Sequence, residues 1–344
     1  MIVDLRSDTV TWPTWAMKTA MMNAPLGDDV LGDDPTVKRL EARTAELAGK
    51  DSALFVPSGT MANLLAIRCH TRLADEVLLH PDSHPINYEA GGAAAFAGVQ
   101  LRALAGPRGM FTADSVRAAL RAPDPHVAPA TLVCAEDTTN RGGGAVWPLA
   151  QLDDVGRSAH ATGLATHLDG ARVMNAVVAS GVPLERRAHH WDTVSFCFSK
   201  GLGAPVGSVL CGPAPLIGLA HRMRKLLGGG MRQSGMLAGA ALYALDHHVD
   251  RLADDHARAQ RLADGLAALG LAVDPPETNM VYVTVDDAAA WQDALEAQGT
   301  RCYSTSATHL RLVLHLDVDD AGVDAAVAAF RAVSDQRGSI SPGA

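Results

Sequence analysis

The sequence predicts an α/β protein: a mostly parallel sheet covered by helices, followed by a smaller α/β domain at the C-terminal end. Three observations predict it. Short apolar runs recur and stop at turn residues. Stretches with helical spacing lie between most of them. After about Gly235 the pattern changes to long helices interleaved with isolated strands.

The apolar runs at 53–56, 77–80, 131–135, 164–168, 193–198 and 206–211 read as strands, and 61–73 and 149–161 read as helices between them. A sheet built this way binds ligands at the carboxyl ends of its strands. Beyond it, the spacing predicts one long amphipathic helix over 246–269, a strand at 279–285, a helix at 288–298, a strand at 310–314 and a helix at 321–333. No Pro, Gly or Ser hinge marks a boundary, so the division rests on pattern: residues 1–245 as the large domain with an N-terminal arm, 246–334 as the small one. Residues 335–344 read as a disordered tail.

A chain of 344 residues can bury a substantial core, and 48% hydrophobic with 19% charged residues is ordinary for a soluble protein. With few aromatics, that core must be built from Ala, Val and Leu. A net charge of −9 argues against nucleic acid and anionic membranes as partners. No apolar run is long enough to cross a bilayer, and Asp4, Arg6 and Asp8 make the N-terminus unlike a signal peptide. The five cysteines (Cys69, Cys134, Cys197, Cys211 and Cys302) show no CxxC spacing. They fit a reducing cytoplasm and give no metal site.

Five segments carry chemistry. In SFCFSKGLGAPVG, Lys200 ends a strand beside a Gly-rich turn and is the only charged residue between Asp192 and His221. That setting favours an amine projecting into the ligand crevice over a solvated loop lysine. In LATHLDGAR, Asp169 ends the preceding strand, as a helix N-cap or as a carboxylate facing a ligand. In LFVPSGTMAN, Ser58, Gly59 and Thr60 open a helix, so the segment is either a plain N-cap or a phosphate site. His84, in SHPINYEAGG, is a packed side chain, a proton carrier or a face for a flat ring. In RKLLGGGMRQSG, Lys225 and Arg232 flank three glycines. With Arg222 and Arg224 they form a solvated helix face, or Lys225 and Arg232 reach an anion, in this subunit or a neighbouring one.

Taken together these segments resemble the L-threonine aldolases, a family of the pyridoxal 5′-phosphate (PLP) fold type I, or aspartate aminotransferase-like, superfamily and of beta-eliminating lyase type. The resemblance runs through DLRSDTVT (4–11), GDDVLGDDPT (27–36), PSGTMAN (57–63), SH…YEAGG (83–92), LDGAR (168–172), SFCFSKGLGAPVGS (195–208), RKLLGGGMRQSG (224–235), TNM (278–280) and RLVLHLDV (311–318). It implies a seven-stranded sheet and PLP held by Lys200 as a Schiff base. Asp169 would meet the pyridine nitrogen and His84 would stack on the ring. Ser58, Gly59 and Thr60 would take the phosphate, assisted by Lys225 and Arg232, and Arg172 would lie beside the cofactor. Ser7, Arg172 and Arg311 would bind the substrate carboxylate. It further implies retro-aldol cleavage of a β-hydroxy-α-amino acid to glycine and an aldehyde, in a homotetramer with shared active sites.

The sequence departs from the family pattern at three positions. Leu31 stands where Tyr is common. Asp137 and Thr139, in Glu136-Asp137-Thr138-Thr139-Asn140, stand where Asn and His are common. That His normally lies near the substrate's β-hydroxyl, and a threonine there cannot act as a base near neutral pH. The departures predict an altered preference at the β-carbon, up to a bulkier substrate such as phenylserine. They also leave room for transaldolation, β-elimination or racemisation on the same fold. A non-enzymatic binding module is disfavoured by the intact set of Lys200, Asp169, Arg172 and Arg311, and a dehydrogenase by the lack of an early GxGxxG.

Overall fold

The computed structural model describes residues 2–338. The chain opens with β1 (Val3–Asp4), α1 (Trp15–Met22) and α2 (Pro35–Ala48), followed by β2 (Ser52–Val56), α3 (Gly59–His70), β3 (Glu76–Leu79) and the short α4 (His84–Asn87). Alternation continues through β4 (Gln100–Ala103), α5 (Ala113–Ala119), β5 (Ala130–Glu136), α6 (Leu149–Ala161) and β6 (Ala165–Asp169). Then come α7 (Val173–Ser180), α8 (Leu184–Arg187), β7 (Thr193–Cys197), β8 (Ser208–Gly212), α9 (Ala214–Leu226) and α10 (Gly235–His247). All six expected runs are strands within two residues of their places.

Seven of these strands form one sheet in the order β2-β8-β7-β6-β5-β3-β4. From β7 to β4 every pairing is parallel, while β8 runs antiparallel to both β7 and β2. Helices cover both faces, so β3, β7 and β8 are buried along their whole length and read as unbroken apolar runs. β4 escapes sequence reasoning because its four residues, QLRA, carry no apolar run and none is fully buried.

The remaining elements are α11 (Leu252–Ala267), β9 (Ala272–Val273), β10 (Met280–Thr284), α12 (Ala288–Ala297), β11 (Thr300–Arg301), β12 (Tyr303–Ser304), β13 (His309–Val313) and α13 (Asp320–Gly338). The single helix expected over 246–269 is corrected: α10 ends at His247 and α11 starts at Leu252. His248 explains the break. It is buried, with its Nδ1 2.7 Å from the Leu202 carbonyl oxygen, a tertiary bond that apolar spacing cannot register. α13 reaches Gly338, so 335–338 of the expected tail are helical; 339–344 lie outside the described residues.

β9, β10, β12 and β13 form an antiparallel sheet, ordered β12-β13-β10-β9, over a core of its own that includes Leu262, Val281, Leu312 and Phe330. The N-terminus joins this core. β1 pairs in parallel with β11, Val3 and Leu5 pack among the same side chains, and the Leu5 carbonyl accepts from the Val313 amide at 2.9 Å. This attachment carries Ser7 and Asp8 to the edge of the large sheet. Among the described residues no helix is long and apolar enough to cross a membrane.

Candidate active site

Parallel pairing sets the carboxyl ends of the central strands side by side. Glu136, last in β5, is in register with Asp169, last in β6, and Asp169 is in register with Ser195 of β7. Lys200 follows β7 on a tight turn. The Gly203 amide donates to the Lys200 carbonyl at 2.8 Å, and Gly203 sits at φ +77°, where glycine has no Cβ to strain. Phe198 braces the turn against Phe196 and Phe55, with ring centroids at 5.4 and 6.3 Å. Lys200 thereby lines a cavity of about 400 Å³ together with His84, Tyr88, Asn140, Arg172 and Arg311, with Ser7 and Tyr303 also in its wall. A larger cavity of about 660 Å³ opens beside Glu76, Leu120 and Ala130. It lies at the amino ends of β3 and β5, the wrong edge for a ligand in this kind of sheet.

The imidazole of His84 is anchored. Its Nδ1 is 2.8 Å from Glu89 Oε1, and its backbone amide donates to Glu136 Oε2 at 2.8 Å. Glu89 Oε1 also accepts from Asn63 Nδ2 at 2.9 Å, so this oxygen is an acceptor and His84 Nδ1 carries the hydrogen. Burial lowers the imidazole's pKa, but the Glu89 bond and the nearby Asp169 charge raise it by more, and the net shift is upward. Burial raises the Glu89 carboxyl and pushes that of Glu136 to about 7.

Beneath the cavity, Asp169 is buried and accepts from Asn63 Nδ2 at 2.7 Å and from the Ala171 amide at 3.1 Å. Arg172 is buried and grips Asp8 with two bonds of 2.8 and 2.6 Å. Burial alone would raise the Asp8 carboxyl, yet Arg172 holds it well below the usual carboxylate range. The pair occupies one edge of the guanidinium and leaves Nη1. Arg311 donates to Asn140 Oδ1 at 2.8 Å and to the Arg6 carbonyl at 3.1 Å, while its Nε is buried without a partner. Two guanidinium groups lining one cavity suit an anionic ligand.

Several expected residues lie elsewhere. Thr139 does not line the cavity. It is 2% exposed, its hydroxyl has no partner, and it is wedged so closely against Gly109 that a Cβ there would sit 2.8 Å from Thr139 Cβ. The backbone bonds to Ala145 and Gly144 turn it inward, and Asn140 meets the cavity instead. Leu31 is 74% exposed in a surface loop. Lys225 and Arg232 are also outside the cavity, Arg232 bonding Asp28 at 2.9 Å. Their neighbour Arg224 is no solvated charge, because it is buried on Asp29 and the Phe55 carbonyl. Ser58 caps α3 by accepting from the Met61 amide at 3.2 Å, and Gly59 lies where a Cβ would meet Cys197 Sγ at 2.8 Å. The first turn of α3 therefore abuts the end of β7, just before Lys200.

Asp137, the other departure, is explained by Arg187. Both are buried, with Arg187 Nε 2.9 Å from Asp137 Oδ2, so the carboxylate is balanced inside the core rather than offered to a ligand. Sequence reasoning missed Asp8, Glu89, Glu136, Asn63 and Asn140. Their one available signal is polarity within segments that otherwise read as buried.

The arrangement fits pyridoxal phosphate. It offers a lysine amine, an imidazole face and a buried carboxylate with an open lone pair. Free amides stand at the start of α3, and two arginines, Arg172 and Arg311, line the cavity where a carboxylate could bind.

A family model described as beta-eliminating lyase matches residues 4–288. The probable low-specificity L-threonine aldolase 2 of Arabidopsis thaliana is 44% identical over 343 residues, spanning 96% of this chain and 97% of that one. The low specificity L-threonine aldolase of Escherichia coli strain K12 is 43% identical over 320 residues, spanning 92% and 95%. A solved threonine aldolase from Leishmania major superposes with a TM-score of 0.84 at 21% identity, covering 96% of this chain and 99% of that one, which shows the shared fold.

Proposed function

This chain belongs to the beta-eliminating lyase family, among relatives named low-specificity L-threonine aldolases, and we propose that it cleaves L-threonine, L-allo-threonine or a related β-hydroxy-α-amino acid to glycine and an aldehyde. The observation that carries this reading is the meeting of Lys200, His84, Arg172 and Arg311 around one cavity above the buried Asp169.

Bound pyridoxal phosphate supplies an electron sink for the pair released when the Cα–Cβ bond breaks. Lys200 Nζ would hold its aldehyde carbon, and the Asp169 carboxylate would accept a hydrogen bond from the ring nitrogen and so keep it protonated. Ser58, Gly59 and Thr60 would receive the phosphate at the positive end of α3. Ser7, Arg172 and Arg311, which line the cavity together, would fix the substrate carboxylate and so orient the bond to be broken. His84 would pack on the ring and, with Nδ1 committed to Glu89, would offer Nε2 to receive the β-hydroxyl proton. With the Thr139 hydroxyl turned away from the cavity, no imidazole stands at that wall. Preference at the β-carbon accordingly differs from that of relatives with His at this position.

The assembly we propose is a homotetramer with shared sites, in the cytoplasm. Exposed Trp12, Trp15, Leu31 and Leu226 support it as surfaces for a second copy, and it would bring Lys225, Arg232 and Leu31 to a neighbour's cofactor. Separate hydrophobic cores support the division at about 245.

The test is to assay the purified protein with PLP on L-threonine, L-allo-threonine and L-phenylserine for aldehyde and glycine together. Equal amounts of both, abolished along with the cofactor's bound absorbance in Lys200→Ala, are expected. Bound absorbance with no glycine from any substrate would overturn the aldolase reading in favour of elimination or racemisation.

A further inference from the structure

Asn63 sits 2% exposed, with every hydrogen-bonding position of its amide filled. Its Nδ2 donates to Glu89 Oε1 at 2.9 Å and to Asp169 Oδ2 at 2.7 Å. Its Oδ1 receives Ser195 Oγ at 3.0 Å and lies 3.1 Å from His167 Nε2. Two carboxylates on one side of the amide dictate which end is nitrogen, and everything behind it follows. Oδ1 can only accept, so His167 Nε2 carries hydrogen. His167 Nδ1, 2.9 Å from Thr193 Oγ1, is then the acceptor in a neutral ring, and the threonine donates to it. The threonine oxygen in turn accepts from His70 Nε2 at 3.0 Å. Both rings are suited to neutrality, because burial pushes each imidazole down to about 4.

We propose that the relay His70–Thr193–His167–Asn63 is a positioning device: it locks one amide so that its two N–H groups hold Asp169 and the Glu89–His84 pair in a single register. The fold builds it simply. Asn63 and His70 are seven residues apart on α3, two turns, and so share a face that lies against β6 and β7. Thr193 opens β7 and His167 lies mid-β6, in register with Thr193. Every donor in the chain points toward Asp169; the Thr193 hydroxyl has the Thr166 carbonyl as a second acceptor, but at 3.5 Å against 2.9 Å to His167 Nδ1. Ser195 holds the same amide oxygen independently.

The inference rests on the roles proposed for Asp169 and His84, so its test includes a variant that separates the two. Cofactor-stripped protein is titrated with PLP, and the dissociation constant and visible absorbance band are recorded with the melting temperature. Thr193→Val keeps the side-chain shape and removes only the hydroxyl. It is expected to weaken PLP about fivefold, the worth of one net hydrogen bond, and to move the absorbance band. Thr193→Ser should restore both. Asn63→Asp, which replaces two donors with acceptors against two carboxylates, is expected to weaken PLP more than about tenfold. Wild-type affinity and absorbance in Thr193→Val overturn the relay even if Asn63→Asp fails to fold, provided Asp169→Asn still weakens PLP. If Asp169→Asn also binds normally, the reading of the site falls and the relay with it.

Discussion

The pairing of Glu89 with His84 decides what the cavity can do with a proton. A carboxylate on Nδ1 fixes the tautomer and leaves Nε2 as the basic atom facing the cavity. It also favours the imidazolium, so the net pKa of His84 is raised despite burial. The sign follows directly. A base must be unprotonated, so the rate should rise with pH through the raised His84 ionisation. Glu89→Gln keeps the shape and removes the charge, which lowers the His84 pKa and moves the acid limb of kcat/KM to lower pH, with a lower plateau. Glu136, at about 7, ionises in the same region. The readout is therefore the displacement between the two enzymes rather than either midpoint. An acid limb that stays in place in Glu89→Gln would remove His84 from the role of base.

At the scale of elements, Asp34 does more than cap a helix. Its Oδ1 accepts from the Thr36 and Val37 amides at the start of α2, and its Oδ2 accepts from the Gly27 amide at 3.2 Å and the Gly235 amide at 2.9 Å. One carboxylate ties the 27–34 loop, α2 and the first turn of α10 together. A single N-cap contributes about 1 kcal/mol. Asp34→Ala should cost about 2–3 kcal/mol in denaturant unfolding, because it also strands buried amides, and a loss near 1 kcal/mol would mean the loop and α10 hold without it. Such tertiary ties mark the limit of what the sequence made legible. The edge carrying Asp169 and Lys200 was readable because strand runs, turn glycines and carboxyl ends are local properties. The inward turn of Thr139 was not, since it depends on Gly109, thirty residues earlier, leaving room for its methyl group. Nor was the Asp8–Arg172 pair, whose partners are 164 residues apart and meet only because β1 docks on β11. The motif around Thr139 predicted a substrate contact, and it is the neighbouring Asn140 that lines the cavity.

For the whole molecule, buried titratable groups set the response to pH, and they pull in opposite directions. Burial depresses His70, His167 and His256 to about 4, against about 6.5 in an unfolded chain. Between those values the unfolded chain binds protons that the folded one refuses, so stability rises with pH. Burial raises Glu41 and Glu136 to about 7, against about 4.3 unfolded. There the folded chain holds protons that the unfolded one has lost, so stability falls as pH rises. From about 4.5 to 6.5 these three histidines oppose these two carboxyls and together leave a slope of roughly one proton, with His190 and His248, lowered, adding to it and Glu89, Asp29, Asp137, Asp255 and, at the upper end, His84, raised, opposing it. Below about 4.5 the carboxyls are protonated in both states and stop opposing, while Asp8, held low by Arg172, adds to the loss. Their share of the unfolding free energy should therefore rise by about 1.4 kcal/mol per pH unit from about 4.5 to 6.5 and more steeply between about 4 and 4.5, while below 4, where the histidines are protonated in both states, Asp8 alone among these groups continues the loss. Glu41→Gln isolates the balance. Its amide oxygen can still accept from the Phe55 backbone, as Glu41 Oε1 does at 2.8 Å, but one opposing proton is gone. The slope between pH 5 and 6.5 should then steepen by about 1.4 kcal/mol per pH unit. A parallel pair of curves for wild type and Glu41→Gln would show that Glu41 is ionised in the folded chain at pH 5 and contributes nothing to the slope.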